Sequence, residues 1–242
     1  MTSPPAPPLT GERTVPGVPV ENYWFRRHEA AYRWVAAAHS VRGAVVIEAG
    51  CGEGYGAALL VAAGARTVAV LDLDHPTLRH VATRYPAVGA VRANLVSLPV
   101  AACVADVVVC SQVVEHLWDQ DAFVAGCARV LRPGGRLVVT TPNRLTFPPG
   151  NVFHSRELDA TELTDLLAAH LGVTAVLGVR PGPRLAADEE AHGDLMAAQV
   201  AAAGNPDGAL LARVAAVTAA DFLVDDTDLA GCLDLVATAV RR

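Results

Sequence analysis

Apolar runs and segments of helical character alternate along most of the chain. Short runs rich in Val, Leu and Ile are typical of strands that are buried on both faces of a parallel sheet. Alanine- and leucine-rich segments with good helix propensity lie between them. The alternation predicts an α/β fold. The predicted strands cover residues 45–47, 67–72, 88–94, 106–110, 136–141, 173–179 and 233–240.

Two regions lie outside this alternating pattern. Residues 1–20 are rich in proline and predict a flexible N-terminal tail, after which a helix is predicted from Glu21 to about His39. Residues 180–231 separate the last two predicted strands and form a helical insertion. An insertion of that length favours a function, either as a cap over an acceptor site or as a dimerisation element. The helix-like runs of the insertion cover 187–203 and 208–220. We therefore expect a single domain over 21–242.

The first predicted strand leads directly into a glycine-rich turn, and a helical segment follows. Gly50, Gly52 and Gly54 have no Cβ atom, so they can take positive φ and let a ligand lie against the backbone. Asp72 ends the next predicted strand, where an acid accepts hydrogen bonds from ribose hydroxyls. These features indicate an adenosine-containing ligand. The turn also fits the dinucleotide pattern G-x-G-x-x-A, so NAD and S-adenosylmethionine both remain open.

Polar side chains follow the third and fourth predicted strands, at the edge where open α/β sheets bind ligands. Asn94 ends the third strand, where it can contact an adenine amine while Leu95 packs on the ring. The alternative is that Asn94 is an ordinary turn residue. Gln112, Glu115 and His116 follow the fourth strand. We therefore expect the chemistry to lie at this edge.

The composition excludes several classes of protein. The chain contains no lysine, which excludes a Walker A loop and a pyridoxal phosphate Schiff base. The formal net charge of -6 gives no support for nucleic-acid binding. No uncharged apolar run approaches the roughly 18 residues that cross a bilayer, and the N-terminus shows no signal pattern. The five cysteines form no C-x-x-C pair, so we expect free thiols in the cytoplasm.

An aromatic cluster near the N-terminus is the candidate for acceptor binding. Tyr23, Trp24 and Arg26 lie together in the first predicted helix. Aromatic faces can stack on a sugar or attract a sulfonium cation, and arginine can pair with a carboxylate. The alternative is a helix that packs its aromatic side chains on the sheet and turns its arginines to water.

The motifs as a set resemble those of the class I S-adenosylmethionine-dependent methyltransferases, over residues 44–143. Glu48-x-Gly50-x-Gly52-x-Gly54 is similar to their glycine motif, and Asp72 is similar to their ribose-binding acid. Residues 115–117 resemble the segment after their fourth strand, and residues 131–135 resemble the segment that leads into their fifth strand. The resemblance implies a Rossmann-like sheet of seven strands, mostly parallel with the last strand antiparallel, and S-adenosyl-L-methionine as the cofactor. The expected cofactor-binding residues are Glu48, Gly50, Cys51, Gly52, Gly54, Asp72, Leu73, Asn94, Leu95 and Gln112.

The flanking segments resemble a group of actinobacterial methyltransferases associated with sugars, including enzymes of methylglucose lipopolysaccharide formation. This resemblance rests on residues 9–13, 23–28, 141–144 and 153–158. The loop between Gly150 and Phe153 is shorter here than in that group. The resemblance implies O-methylation of a sugar hydroxyl in a glycan or polysaccharide.

Two histidines are candidates for the group that takes a proton from such a hydroxyl. Histidine suits the task because its unperturbed pKa is about 6.5. His116 is the first candidate, with Glu115 or Asp119 to orient it. His154 is the second, with Glu157 nearby.

Other assignments remain open at the level of sequence. The acceptor could be a small-molecule natural product that is methylated on oxygen or nitrogen. An NAD-dependent oxidoreductase would explain the glycine turn but not residues 131–135, and a non-catalytic domain could bind cofactor only to stabilise a partner. We expect no nucleic-acid partner and no membrane span, and leave a homodimer open. A metal site from Glu115, Asp119, Asp121 and His154 matches no standard ligand spacing, so we expect no metal.

Overall fold

The computed structural model describes residues 13–39, 41–202 and 204–242, which form an α/β fold around one mixed sheet. Residues 1–12 of the predicted tail lie outside the described residues. In chain order the helices and strands are α1 (Asn22–Ala38), β1 (Val45–Ala49), α2 (Tyr55–Ala62), β2 (Thr67–Asp72), α3 (His75–Arg84), β3 (Val88–Arg92), β4 (Ala105–Ser111), α4 (Gln120–Val130), β5 (Leu131–Pro142), α5 (Ala160–Ala168), β6 (Gly172–Pro181), α6 (Pro183–His192), α7 (Leu195–Ala202), α8 (Gly208–Ala216), β7 (Phe222–Asp225) and β8 (Asp234–Val240).

The strands pair in the order β3-β2-β1-β4-β5-β8-β6-β7. Strands β1 to β5 are parallel, whereas β8 runs antiparallel to both β5 and β6. The predicted Rossmann-like sheet with a late antiparallel strand is therefore confirmed. The described residues form eight strands and not seven, because β7 within the insertion pairs with the end of β6. β7 has 4 residues, too few for its alternation to be visible in the sequence.

Both faces of the sheet are covered by helices, which explains why its strands are apolar throughout. Neighbouring residues of a strand point to opposite faces. Val46 accordingly packs in a core that includes residues of α1, α2 and α3, and Ile47 in a core that includes residues of α4 and α5. This two-sided core holds the carboxyl ends of β1, β2 and β4 in place at one edge.

The first part of the insertion differs from its prediction. The run predicted as one helix over 187–203 is two helices, α6 and α7. Gly193 takes a φ of +86° and ends α6, and the Asp194 side chain then accepts from the Ala197 amide at 2.7 Å. The alanine-rich composition continues through this break, so helix propensity alone does not reveal it.

The second part of the insertion packs on α1. The helix predicted over 208–220 is α8, which ends at Ala216. The side-chain amide of Asn22 donates to the carbonyl oxygens of Val214 and Val217, each at 2.9 Å. The N-terminal helix and the insertion are therefore neighbours in space. Within the described chain, no helix combines the length and apolar character that a membrane crossing requires.

Candidate active site

A cavity of about 690 Å³ lies at the carboxyl ends of β1, β2 and β4. This is the edge at which open α/β sheets bind their ligands. Two of the predicted cofactor residues, Glu48 and Gly54, do not line the cavity. The others do line it: Gly50, Cys51, Gly52, Asp72, Leu73, Asn94, Leu95 and Gln112.

The three glycines of the turn meet different surroundings. A Cβ atom on Gly50 (φ +80°) would lie 2.4 Å from a methyl carbon of Val113, and one on Gly54 (φ +79°) would be crowded against α3. Gly52 (φ +44°) differs, because among the residues that the structure describes its Cβ would meet only Arg13 within 4 Å, at 3.9 Å. Gly50 and Gly54 are thus required by the packing of the protein itself. Gly52 leaves its backbone open to a ligand.

Asp72 lies at the end of β2 with its carboxylate held by backbone donors. Its Oδ2 accepts from the Cys51 amide at 3.1 Å, and its Oδ1 accepts from the Asp74 amide at 2.9 Å. These bonds join the end of β2 to the glycine turn and fix the carboxylate in the cavity wall. Each carboxylate oxygen has a second lone pair, so Asp72 can also accept hydrogen bonds from a ribose.

Glu48 lies beneath the glycine turn, which corrects its predicted contact with the cofactor. Because side chains alternate along β1, Glu48 points to the face that α1 covers. It is fully buried, and the hydroxyl of Tyr32 donates to its Oε1 at 2.5 Å. Burial raises the pKa of Glu48 to about 8, so its carboxyl group is protonated at neutral pH. Glu48 therefore supports the turn from below.

The start of the described chain contacts both the glycine turn and the start of α2. The sequence did not reveal this contribution to the cavity wall. Thr14 Oγ1 lies 3.0 Å from the hydroxyl of Tyr55, and Arg13 forms an ion pair with Glu53 at 3.9 Å. Residues 13–20 belong to the flexible tail that the sequence predicts. Arg13 and Thr14 are instead part of the cavity wall.

A second cavity, of about 460 Å³, adjoins the first. Apart from the wall that it shares with the first cavity, it is lined by α1, by the loops after β4 and β5, and by the end of α7. Gln112, in the wall between the cavities, is a non-glycine residue with a φ of +54°, a conformation that functional sites often hold. The residues that line both cavities are Arg13, Thr14, His28, Gln112 and His116.

Trp24 lines the second cavity, but the other two residues predicted to contact the acceptor do not. Tyr23 is fully buried, where its ring meets Phe222 edge to face. Arg26 points away from the cavity into an ion pair with a neighbouring acid of the same helix. The residue that accompanies Trp24 in the wall is Arg27, because side chains three positions apart lie on one side of a helix.

Arg27 is a functional candidate that sequence reasoning missed. Its side chain is 1% exposed and pairs with Asp234 at 2.9 Å. The guanidinium carbon also lies 4.7 Å from the ring centroid of Trp24, a cation–π contact. Asp234 is the first residue of β8, far along the chain from α1. This buried pair fixes Trp24 at the wall of the second cavity.

His116 and His154 come from different segments and meet at the second cavity. Their ring centroids are 4.8 Å apart, with an interplanar angle of 73°. Nδ1 of His116 lies 3.1 Å from the carbonyl oxygen of Phe153. Nδ1 of His154 lies 2.7 Å from Oε1 of Glu157, and its Nε2 lies 3.1 Å from the amide nitrogen of Asn151. The structure thus brings the two predicted catalytic residues together.

Glu115 accompanies the two histidines, whereas the nearby aspartates do not. Oε1 of Glu115 lies 4.0 Å from Nε2 of His116, and burial raises the pKa of Glu115 to about 8. Asp119 caps α4, and Asp121 forms an ion pair with a histidine at the surface. One ligand atom from each of Glu115, His116 and His154 lies within 4.8 Å of the other two.

Comparison with known proteins identifies relatives over nearly the full chain. A family model described as a methyltransferase domain matches residues 47–139. A probable S-adenosylmethionine-dependent methyltransferase of Mycolicibacterium smegmatis is 53% identical over 251 residues, covering 98% of this chain and 96% of that protein. A protein of the same description from Mycobacterium tuberculosis is 50% identical over 247 residues, covering 96% of this chain and 89% of that protein.

Solved structures agree with this assignment at the level of the fold. A geranyl diphosphate methyltransferase in complex with S-adenosylmethionine has a TM-score of 0.64 at 16% sequence identity, covering 96% of this chain and 93% of that one. The matched residues 47–139 contain the glycine turn, Asp72 and the Glu115–His116 segment. The chain therefore belongs to the S-adenosylmethionine-dependent methyltransferases, and it is an enzyme whose cofactor is S-adenosylmethionine.

Proposed function

We propose that the enzyme methylates a sugar hydroxyl of a glycan or polysaccharide. The observation that carries the proposal is the second cavity, which adjoins the cofactor cavity at His116 and Gln112. Its wall combines an aromatic ring, Trp24, with side chains that donate and accept hydrogen bonds, such as Asn151 and Gln199. Sugar rings have an apolar C–H face and a rim of hydroxyl groups, so this combination suits them.

The first cavity fits S-adenosylmethionine through its backbone and one acid. Gly52 would let the cofactor lie against the turn, and Asp72 would accept hydrogen bonds from the ribose hydroxyls. Asn94 and Leu95 would contact the adenine. Glu48 and Gly54 would act indirectly, by holding the turn in shape. The bound cofactor supplies an activated methyl group on a positively charged sulfur.

His116 and His154 are the proposed catalytic residues. A hydroxyl is a weak nucleophile, so its proton has to leave as the new C–O bond forms. The proposal is supported by two observations: His116 lines both cavities, between which the methyl group would have to pass to the acceptor oxygen, and His154 contacts its ring. Correct placement of the oxygen supplies much of the rate enhancement in such a transfer.

The insertion is proposed to cap the acceptor site within a single methyltransferase domain over 21–242. The end of α7 supplies Gln199 and Val200 to the wall of the second cavity. Because the Asn22 side chain of α1 is hydrogen-bonded to the end of α8, the insertion and the helix that carries Trp24 would move together. We place the enzyme in the cytoplasm, in keeping with its five free cysteines.

The test is transfer of a radiolabelled methyl group from S-adenosylmethionine to glucan oligosaccharides. A matched panel of phenols and amines represents small natural products. The proposal predicts labelled sugar with the native enzyme and loss of labelling in His116→Ala, while calorimetry shows that the variant still binds S-adenosylmethionine. Labelling of phenols or amines with no labelling of any sugar would show that the acceptor class is wrong.

A further inference from the structure

We propose that Glu115, His116 and His154 bind one divalent transition-metal ion at the wall of the second cavity. The binding site itself follows from the geometry of these three side chains. Its catalytic role, activation of the acceptor hydroxyl, rests on the proposed function. The proposal departs from the sequence-based expectation of no metal, because the fold joins residues that are far apart in the chain.

The three candidate ligands are held on two segments that are fastened together. Glu115 and His116 lie in the 3₁₀ turn Val114–His116 after β4, and His154 lies in the loop after β5. The Ser155 amide donates to the carbonyl oxygen of Glu115 at 2.8 Å, and the Ser155 hydroxyl donates to that of His116 at 3.1 Å. These bonds hold the ligand atoms within 4.8 Å of one another. The site is thus largely formed before an ion arrives.

The described partners of His116 fix its protonation state in the form that a metal requires. A carbonyl oxygen can only accept a hydrogen bond, so the contact of Nδ1 with Phe153 at 3.1 Å places the proton on Nδ1. The lone pair of the ring then lies on Nε2, the nitrogen nearer to Oε1 of Glu115. Metal-binding histidines characteristically donate their second ring N–H to a carbonyl or a carboxylate in this way.

His154 shows the same arrangement with a carboxylate. Its Nδ1 lies 2.7 Å from Oε1 of Glu157. The Asn151 oxygen accepts from the Phe153 amide at 3.0 Å, which leaves the NH₂ group of Asn151 to donate to Nε2 of His154 at 3.1 Å. Nε2 therefore carries a lone pair, and an ion would take the place of the Asn151 contact. Both rings thus present Nε2 as a ligand atom.

Glu115 completes the set with a buried oxygen. Its Oε2 accepts from the Thr141 hydroxyl at 3.0 Å, and its Oε1 faces Nε2 of His116 at 4.0 Å. A carboxylate that is 1% exposed is costly to ionise without a positive partner, which an ion would provide. Two imidazoles and one carboxylate suit transition metals such as iron, cobalt or zinc better than Mg²⁺ or Ca²⁺, which prefer oxygen ligands.

Three protein ligands leave coordination positions for the acceptor at the cavity wall. A bound hydroxyl would lose its proton to water at a lowered pKa. The oxygen lone pair would then form the new C–O bond as the methyl–sulfur bond breaks, and the sulfur would keep the bonding electrons and leave as a neutral thioether. In this role the two histidines activate the hydroxyl through the ion.

The experiment is a titration of Co²⁺ into the purified protein, with binding monitored by calorimetry and by visible absorption. Every sample carries the substitution Cys103→Ser, because the exposed thiol of Cys103 could otherwise bind Co²⁺. We expect one Co²⁺ per chain, with binding abolished in His116→Ala, His154→Ala and Glu115→Gln. Glu157→Ala should weaken binding roughly tenfold, because it removes the partner that orients His154. His192→Ala, an exposed histidine on α6, should leave binding unchanged.

S-adenosylmethionine binding, measured on the same samples, shows that each variant is folded. A protein that binds no Co²⁺, or that binds it equally in all three ligand variants, overturns the metal site. The sugar methyltransferase proposal would survive that result, with a histidine taking the proton directly. Conversely, Co²⁺ binding that depends on these three residues, in a protein that labels no sugar, would retain the site and reject the acceptor.

Discussion

The first cavity, which we propose holds the cofactor (the cofactor cavity), and the second, which we propose holds the acceptor (the acceptor cavity), adjoin each other but are built in different ways. The first lies at the ends of β1, β2 and β4, where Gly52 and Asp72 are the main proposed cofactor contacts, and Arg13, Thr14 and His28 also line its wall. The second is shaped by side chains from α1, two loops and the insertion. The comparison teaches that the fold itself supplies the cofactor site. On the proposed function, elements added to the fold would determine what can be methylated.

The largest effect is expected where the two cavities meet. His116→Ala should lower the turnover number by roughly 10²- to 10⁴-fold, the range for loss of a group that assists proton transfer. Steady-state kinetics with a saturating sugar acceptor would measure it. His192→Ala serves as the matched control, because that side chain lies at the surface of α6. Turnover that survives in His116→Ala would remove this residue from the chemistry.

Two glycine variants should separate packing from ligand contact within the cofactor cavity. Gly50→Ala should destabilise the protein by about 2 to 4 kcal/mol, because of its positive φ and its approach to Val113. Gly52→Ala should cost only about 1 to 2 kcal/mol, since its Cβ meets little protein, but should weaken cofactor binding. Urea denaturation and calorimetry measure the two effects. Equal losses of stability would show that packing restricts Gly52 as much as Gly50, and unchanged cofactor binding in Gly52→Ala would show that Gly52 does not face the cofactor.

The support beneath the glycine turn should make stability depend on pH. The pKa of Glu48 is raised to about 8 by burial, so between its unfolded pKa and pH 8 the folded state binds more protons than the unfolded state. Stability should therefore fall as pH rises from about 5 to 8, by roughly 2 to 4 kcal/mol more in the native protein than in Glu48→Gln. The free energy of unfolding is measured by denaturation at about pH 5 and about pH 8. An equal change with pH in the native protein and in Glu48→Gln would refute this role of Glu48.

The smallest effect is expected at the aromatic wall of the acceptor cavity. Trp24→Ala should raise the KM for the sugar about tenfold, the loss expected for one stacked aromatic contact. Arg26→Ala is the control on the neighbouring helix face and should leave KM unchanged, because Arg26 points away from the cavity. Kinetics at varied acceptor concentration would decide. A similar rise in both variants would show that Trp24 has no special contact with the acceptor.

The comparison between the cavities also explains what the sequence could predict. The glycine turn and Asp72 rest on local spacing and on the rule that strand ends share an edge, so these features could be inferred without the structure. The sequence predicts that Glu48 binds the cofactor, but it does not reveal the burial of Glu48 beneath the turn, which depends on α1 packing against β1. Nothing in the local sequence places Arg13 and Thr14 in the wall of the first cavity, although Arg13 belongs to a segment that carries a family resemblance.

Predictions for the acceptor side were less accurate for a related reason. Helical periodicity identifies α1 but does not fix which side faces the cavity, so the sequence predicts an acceptor contact for Arg26, whereas Arg27 lines the wall. Gly193 divides a helix that composition predicts as continuous. Joining His116 and His154 requires the loops after β4 and β5 to meet, which is a property of the whole fold.

We propose that cofactor binding and acceptor chemistry belong to separate cavities. The most direct measurement is calorimetric titration of S-adenosylmethionine into the native enzyme, Asp72→Asn and His154→Ala. Affinity for S-adenosylmethionine should fall roughly 10- to 100-fold in Asp72→Asn, through loss of a charged hydrogen-bond acceptor. His154→Ala should keep the native affinity and lose methyl transfer. Equal affinity losses in both variants, or undiminished binding in Asp72→Asn, would contradict the separation of the two cavities.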